Sequence, residues 1–201
     1  LDEPVDMIRL TSEVSGTTAS IGYLLSTEPT GQKIRSIAVA YDDANRMLGY
    51  REVTFDTEDG NQDGDLPISL PEGTTPASLS YLLVQDGTLA PVAGAWTKDL
   101  AAGEESFSHA ALREVVPGAE PAFEVDFAAD TQAVTLHGSG FSPGAVLVVE
   151  GTADGVDGLD HVAFVTADGR GVLDYTYRSA ASSLDAITVR VGGQGVDGVI
   201  E

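Results

Sequence analysis

Apolar residues recur at every second position along most of this chain. In Thr17–Ser26 the alternate residues Ala19, Ile21, Tyr23 and Leu25 fall on one face of a strand, because successive side chains of an extended chain point to opposite sides. Arg35–Tyr41 yields Ile37, Val39 and Tyr41 in the same way. Met47–Phe55 supports two sets, either Met47, Gly49, Arg51, Val53 and Phe55, or Leu48, Tyr50, Glu52 and Thr54. In Ser78–Val84, Leu79, Tyr81 and Leu83 alternate with Ser80, Leu82 and Val84, which predicts a strand covered on both faces.

The later half repeats the pattern. Phe123, Val125 and Phe127 alternate with Glu124 and Asp126; Val134 and Leu136 flank Thr135; Ala145–Val149 is a short apolar run; Ile187, Val189 and Val191 form a further strand. Val162–Thr166 and Val172–Arg178 flank Ala167-Asp168-Gly169-Arg170-Gly171. That arrangement reads as a hairpin, since glycine accepts the positive φ of a tight turn. Strands spaced about eight to twelve residues apart, divided by Gly, Pro, Asp and Asn, predict β-sandwiches ahead of a barrel.

One stretch departs from period two. Ser108–Val115 is the best helical segment, with Ser108 as its cap, and Pro117-Gly118 ends it. A boundary is therefore expected near Pro117. The expected organisation is all-β: a sandwich over 1–103, a linker with a short helix over 104–121, and a second sandwich over 122–201.

Composition narrows the function. Of 201 residues, 32 are Asp or Glu and 10 are Lys or Arg, a formal charge of −22 shared by both halves. Phosphate contacts need clustered Lys and Arg, so nucleic acid and anionic membranes are poor partners. No apolar run approaches the roughly 18 residues of a membrane helix. The chain has no cysteine, which removes disulfides, thiolate metal sites and Cys nucleophiles together. The opening Leu1-Asp2-Glu3-Pro4 lacks an initiator Met, as in a processed or trimmed chain. An acidic, Lys-poor surface suits a secreted protein or one from a salty habitat, where hydrated carboxylates keep it dissolved.

The sharpest local motif is Asp59-Gly60-Asn61-Gln62-Asp63-Gly64-Asp65. Alternate oxygen-bearing side chains with Gly at the sixth position match the first half of a Ca²⁺ loop, with Asp59, Asn61, Asp63 and Asp65 as ligands. Leu70 stands where a twelfth-position Glu belongs, so the expectation is a weak Ca²⁺ site outside the EF-hand class; a solvated acidic turn accounts for the same residues. Asp154, Asp157 and Asp160 form a second acidic run that suits a polar connection between strands, with a loop gathering them on a cation as the alternative. His109, His137 and His161 are too scattered for a shared zinc site. Abundant carboxylates alone do not make a glycosidase pair, and no G-x-S-x-G elbow occurs. Trp96, Tyr23, Tyr41 and Tyr81 suit the core or the sheet ends, with a sugar-stacking platform as the alternative.

Two segments carry a resemblance. The first runs Ile37-Ala38-Val39-Ala40-Tyr41-Asp42, Leu48-Gly49-Tyr50, Leu70-Pro71-Glu72-Gly73 and Tyr81 through Pro91. The second is Val134 through Val148, with Gly138-Ser139-Gly140-Phe141-Ser142-Pro143-Gly144 at its centre. They resemble immunoglobulin-like β-sandwich accessory modules of bacterial secreted and cell-surface proteins of the S-layer-associated type. In the second, Gly140 and Gly144 take backbone angles other residues avoid and Phe141 plugs the sandwich end. The resemblance implies a non-catalytic spacing, display or adhesion module, whose partners are neighbouring extracellular domains, a surface protein or a glycan. A carbohydrate-binding accessory module of a secreted enzyme is the alternative.

Overall fold

The computed structural model describes residues 4–109, 120–193 and 198–201. Among them the chain is all-β: fourteen strands, two short 3-10 turns and no α-helix. It divides into two compact units. The first takes residues 1–43, 48–86 and 91–110; the second takes 44–47, 87–90 and 111–201.

In the first unit, β1 (Val5–Ser15), β2 (Thr18–Thr27) and β5 (Gln62–Ser69) form one antiparallel sheet in the order β1-β2-β5. The other sheet runs β4 (Met47–Asp56), β3 (Lys33–Tyr41), β6 (Ser78–Gln85), β7 (Pro91–Asp99), β8 (Glu105–His109). Ala19, Ile21, Leu25, Leu66 and Ile68 of the first sheet share one core with Ala38, Ala40, Leu79, Tyr81 and Leu83 of the second. The β2 face is the one its alternation predicts.

β3 differs from expectation. Its core-cluster residues are Ile34, Ala38 and Ala40, whereas Ile37, Val39 and Tyr41 lie on the opposite face, also buried. Alternation cannot choose a face when both are covered. β6 is covered on both faces, as its sequence predicts. On β4 neither candidate set holds throughout, since Leu48, Val53 and Phe55 all pack against the core.

The second unit pairs two three-stranded sheets. One runs β13 (Leu173–Arg178), β10 (Ala133–Ser139), β9 (Ala122–Ala128); the other runs β12 (His161–Thr166), β11 (Val146–Ala153), β14 (Ile187–Gly193). Val134, Leu136, Leu173 and Tyr177 from one sheet meet Leu147, Val149, Val189 and Val191 from the other. This sandwich-like layering leaves the alternate residues of β9, including Glu124, exposed.

Two expectations are corrected here. The segment read as a short helix begins with Ser108 and His109, which belong to β8 and pair with Ala95 and Gly94. Residues 110–119 of that segment lie outside the described residues. The stretch 104–121, read as a linker, therefore opens with the edge strand of a sheet. A cap-forming serine is equally at home in a short strand when β7 supplies its hydrogen bonds.

The Asp168-Gly169 segment is not a hairpin. β12 pairs with β11 and β13 pairs with β10, so the segment carries the chain from one sheet to the other. Asp168 Oδ1 accepts from the backbone N–H of Arg170 at 2.7 Å and of Val172 at 2.9 Å, which curls the loop without pairing its flanks. The Phe141 N–H donates to the Gly171 carbonyl at 3.3 Å. Phe141 is 2% exposed and plugs this core; Gly140 and Gly144 have φ of +82° and +67°.

Gly171 has φ +77°, and a Cβ there would overlap the Phe141 carbonyl oxygen. Gly155 has φ +81° with open space around it. Gly155→Ala should therefore cost only the left-handed backbone term, about 1–2 kcal/mol. Gly171→Ala should cost clearly more, because backbone must shift. Chemical denaturation of both variants checks this; equal losses would contradict the close approach.

Candidate functional site

The sequence-predicted cation ligands take up different local roles. Asp59 ends the 3-10 turn Thr57–Asp59, and its carboxylate accepts from the Asp56 N–H at 3.2 Å. Asp56 in turn accepts from the Glu58 N–H at 3.0 Å, so the two acids cap the turn reciprocally. Asn61 Oδ1 accepts from the Thr27 N–H at 3.2 Å and ties the loop to the end of β2. Asp63 and Asp65 fall inside β5, two residues apart on its exposed face.

The structure thus brings Asp63 and Asp65 together and gives Asp59 and Asn61 other work. Cross-strand register sets Arg9, Leu24 and Asp63 in one row, and Thr11, Gly22 and Asp65 in the next. Gly22 leaves a gap over which Thr11 Oγ1 and Asp65 Oδ1 lean. The result is a shallow depression of about 160 Å³ edged by Arg9, Thr11, Asp63 and Asp65. Tyr23 is raised from its ordinary value, by partial burial first and then by the two aspartates. Among the described residues no three His, Asp or Glu side chains converge as a metal-holding group. In the second acidic run, Asp154 and Asp157 are exposed while Asp160 is buried.

The densest polar chemistry lies instead inside the second unit, where the sequence offered only a scattered histidine and the last aspartate of the second acidic run. His161 opens β12 and is fully buried. Its ring stacks on Tyr177 of β13, centroids 4.1 Å apart and planes within 7°. His161 Nε2 and Tyr175 Oη share a hydrogen bond of 2.6 Å. One residue earlier, Asp160 accepts from Ser179 Oγ at 2.5 Å and from the Ala180 N–H at 2.9 Å. Each of these links joins the β12 sheet to the β13 sheet or to the chain leaving it.

Burial sets the protonation of this cluster. It lowers His161 from the usual 6.5 to about 3, so the ring is neutral near pH 7. It pushes the Tyr175 phenol up to about 12, and raises Tyr177 as well with help from Asp160. Tyr177 Oη has no hydrogen-bond partner among the described residues, and Gly151 leaves the room that this hydroxyl occupies. A neutral imidazole and two protonated phenols are thus gathered between the sheets. Alternation places Tyr175 and Tyr177 on one side of β13, which is the signal that could have flagged them.

His137 is a separate case. Its Nδ1 lies 2.6 Å from Asp174 Oδ1 across β10 and β13, with both side chains exposed. His109 lies in β8. No protein-family model matches the chain, and no curated protein matches it.

Three outcomes follow from this geometry. As pH falls below 6.5 the unfolded histidine takes a proton that the folded one refuses until about 3. Stability held in full above that window should decline through it, by about 1.4 kcal/mol per pH unit from this group. Urea titrations across the window should show a shallower decline for His161→Gln than for the parent; parallel declines would contradict it. For the acidic loop, Asn61→Ala should cost about 1 kcal/mol through the lost Thr27 contact. Because Asp59 and Asn61 are committed internally, Ca²⁺ should raise the melting temperature no more than Na⁺ at matched ionic strength. An excess Ca²⁺ shift that disappears in Asp63→Ala would instead establish the cation site.

Proposed function

We propose that this chain is a non-catalytic structural module of a bacterial extracellular protein, serving spacing, display or adhesion, and that its two units are immunoglobulin-like sandwiches in tandem. One observation carries the reading: the buried pair Asp160 and His161 is spent on sheet-to-sheet links. His161 and Asp160 both face partners on or just beyond β13, and both are buried. Trp96, Tyr81 and Tyr177 are buried as core residues, which supports a scaffold over a sugar-stacking platform. The charge of −22 supports a well-hydrated surface, with neighbouring domains, a surface protein or a glycan as partners.

Stretching single molecules end to end tests it. A spacer of this kind should unfold in two all-or-none events, each releasing about 30 nm at roughly 3.5 Å per residue. A single event releasing the whole chain would overturn the tandem arrangement. Saturable binding on a glycan array would overturn a pure spacer role in favour of glycan adhesion or a carbohydrate-binding accessory module.

A further inference from the structure

β1 is the longest strand of the chain and lies at the end of its sheet, paired on one side only among the described residues. An unpaired edge presents a row of N–H and C=O groups that another strand can complete. Its geometry fixes which groups are free. Ser15 and Thr18 close a two-residue loop, Gly16-Thr17, so they form a hydrogen-bonded pair. Alternation then directs the backbone groups of Thr11 and Glu13 to β2. Those of Leu10, Ser12 and Val14 face outward. A register break between Met7 and Arg9 interrupts the edge at Ile8, which leaves Arg9 to Ser15 as the regular stretch.

That stretch is self-complementary. We propose that β1 pairs antiparallel with β1 of a second copy of this chain, about a two-fold axis at Thr11. Leu10 then exchanges backbone hydrogen bonds with Ser12 of the second copy, and Ser12 with its Leu10, using the groups that β2 leaves free. On the outer face, Arg9 comes opposite Glu13 of the second copy, and Glu13 opposite its Arg9. All four side chains are exposed in the single chain. Directly opposed Cβ atoms are about 4.5–5.5 Å apart, within reach of an Arg–Glu pair. The same register brings Ile8, 57% exposed, to the end of the strand where the second copy's Val14, 42% exposed, lies. These are two of the four large apolar side chains exposed among the described residues. A strand of like charges would repel its own copy; this one places opposite charges symmetrically about its middle.

The pairing is a weak one. It joins two chains that each carry −22, and a short strand edge covers less than the roughly 1,200 Å² of a stable interface. Exchange should be fast, with dimer visible only at high protein concentration. The inference stands apart from the spacer reading, since it needs only the β1 edge.

Sedimentation equilibrium at about 0.15 M ionic strength tests it. The parent should show a monomer–dimer equilibrium. Arg9→Glu sets Glu against Glu13, and Glu13→Arg sets Arg against Arg9, so each alone should abolish the dimer. The double variant Arg9→Glu/Glu13→Arg restores opposite charges in the same register and should recover it. Glu13→Gln, which removes attraction without adding repulsion, should weaken dimerisation about tenfold because two symmetry-related pairs are lost. Circular dichroism confirms that each variant is folded. A parent that stays monomeric at every concentration, single variants that dimerise like the parent, a double variant that stays monomeric, or association that runs past the dimer would each overturn the proposal.

Discussion

A β-sheet hides one face only when a second layer is held against it, and in the second unit that contact is held by buried polar groups. The His161 ring lies flat on Tyr177, its Nε2 meets Tyr175, and Asp160 takes Ser179. These contacts bridge layers that share few backbone hydrogen bonds. Apolar packing of Leu136, Leu147 and Val191 supplies most of the driving force but little direction. The polar links add direction, because each is satisfied at one alignment of β12 over β13 and costly when broken. Deep burial keeps the imidazole uncharged, so the histidine adds no charge to the core.

The electrostatics outside the cores follow a different rule. With 32 acids and 10 bases, most carboxylates cannot find a cation and must remain hydrated. Two of the cations sit where carboxylates come close to buried surface. Arg35 grips Glu52 through Nε and Nη2 at 3.0 and 2.9 Å. Arg190 reaches both Glu150, which is almost wholly buried, and Glu201. Exposed pairs such as Arg170 with Asp168 add little by comparison.

How much of this was legible in the residues depended on range. β2 was readable because Ala19, Ile21 and Leu25 face one core while Ser20 and Gly22 do not. β3 was misread because Ile37 and Ile34 are both buried, and alternation carries no sign when both faces are covered. Asp168-Gly169 looked like a hairpin because the chemistry that turns a chain sharply is the same whether it returns to its own sheet or crosses to another. Ser108 looked like a helix cap because the five-residue strand that contains it is defined by β7, distant from it in kind though not in sequence. In the acidic loop, too, local structure was out of reach of spacing alone. Asp59, Asn61, Asp63 and Asp65 have ligand spacing, but a 3-10 turn and a strand divide them, and an extended backbone carries Asp63 and Asp65 away from the turn. The buried histidine left the faintest trace, since its partners on β13 are more than a dozen residues away.

Strand order in the second unit also sets the sequence of events by which it can form. β9 with β10 and β11 with β12 are neighbours along the chain and can zip as local hairpins. β13 and β14 then return to the inner strands, β10 and β11, from far downstream. Such long-range returns close large loops before any contact rewards them, which slows folding. A chain emerging from a ribosome or a pore therefore holds two unfinished hairpins with open apolar faces until its last long strand is out. Completion is a single late step, and a chain held back before Ile187 exposes the surface on which aggregation starts.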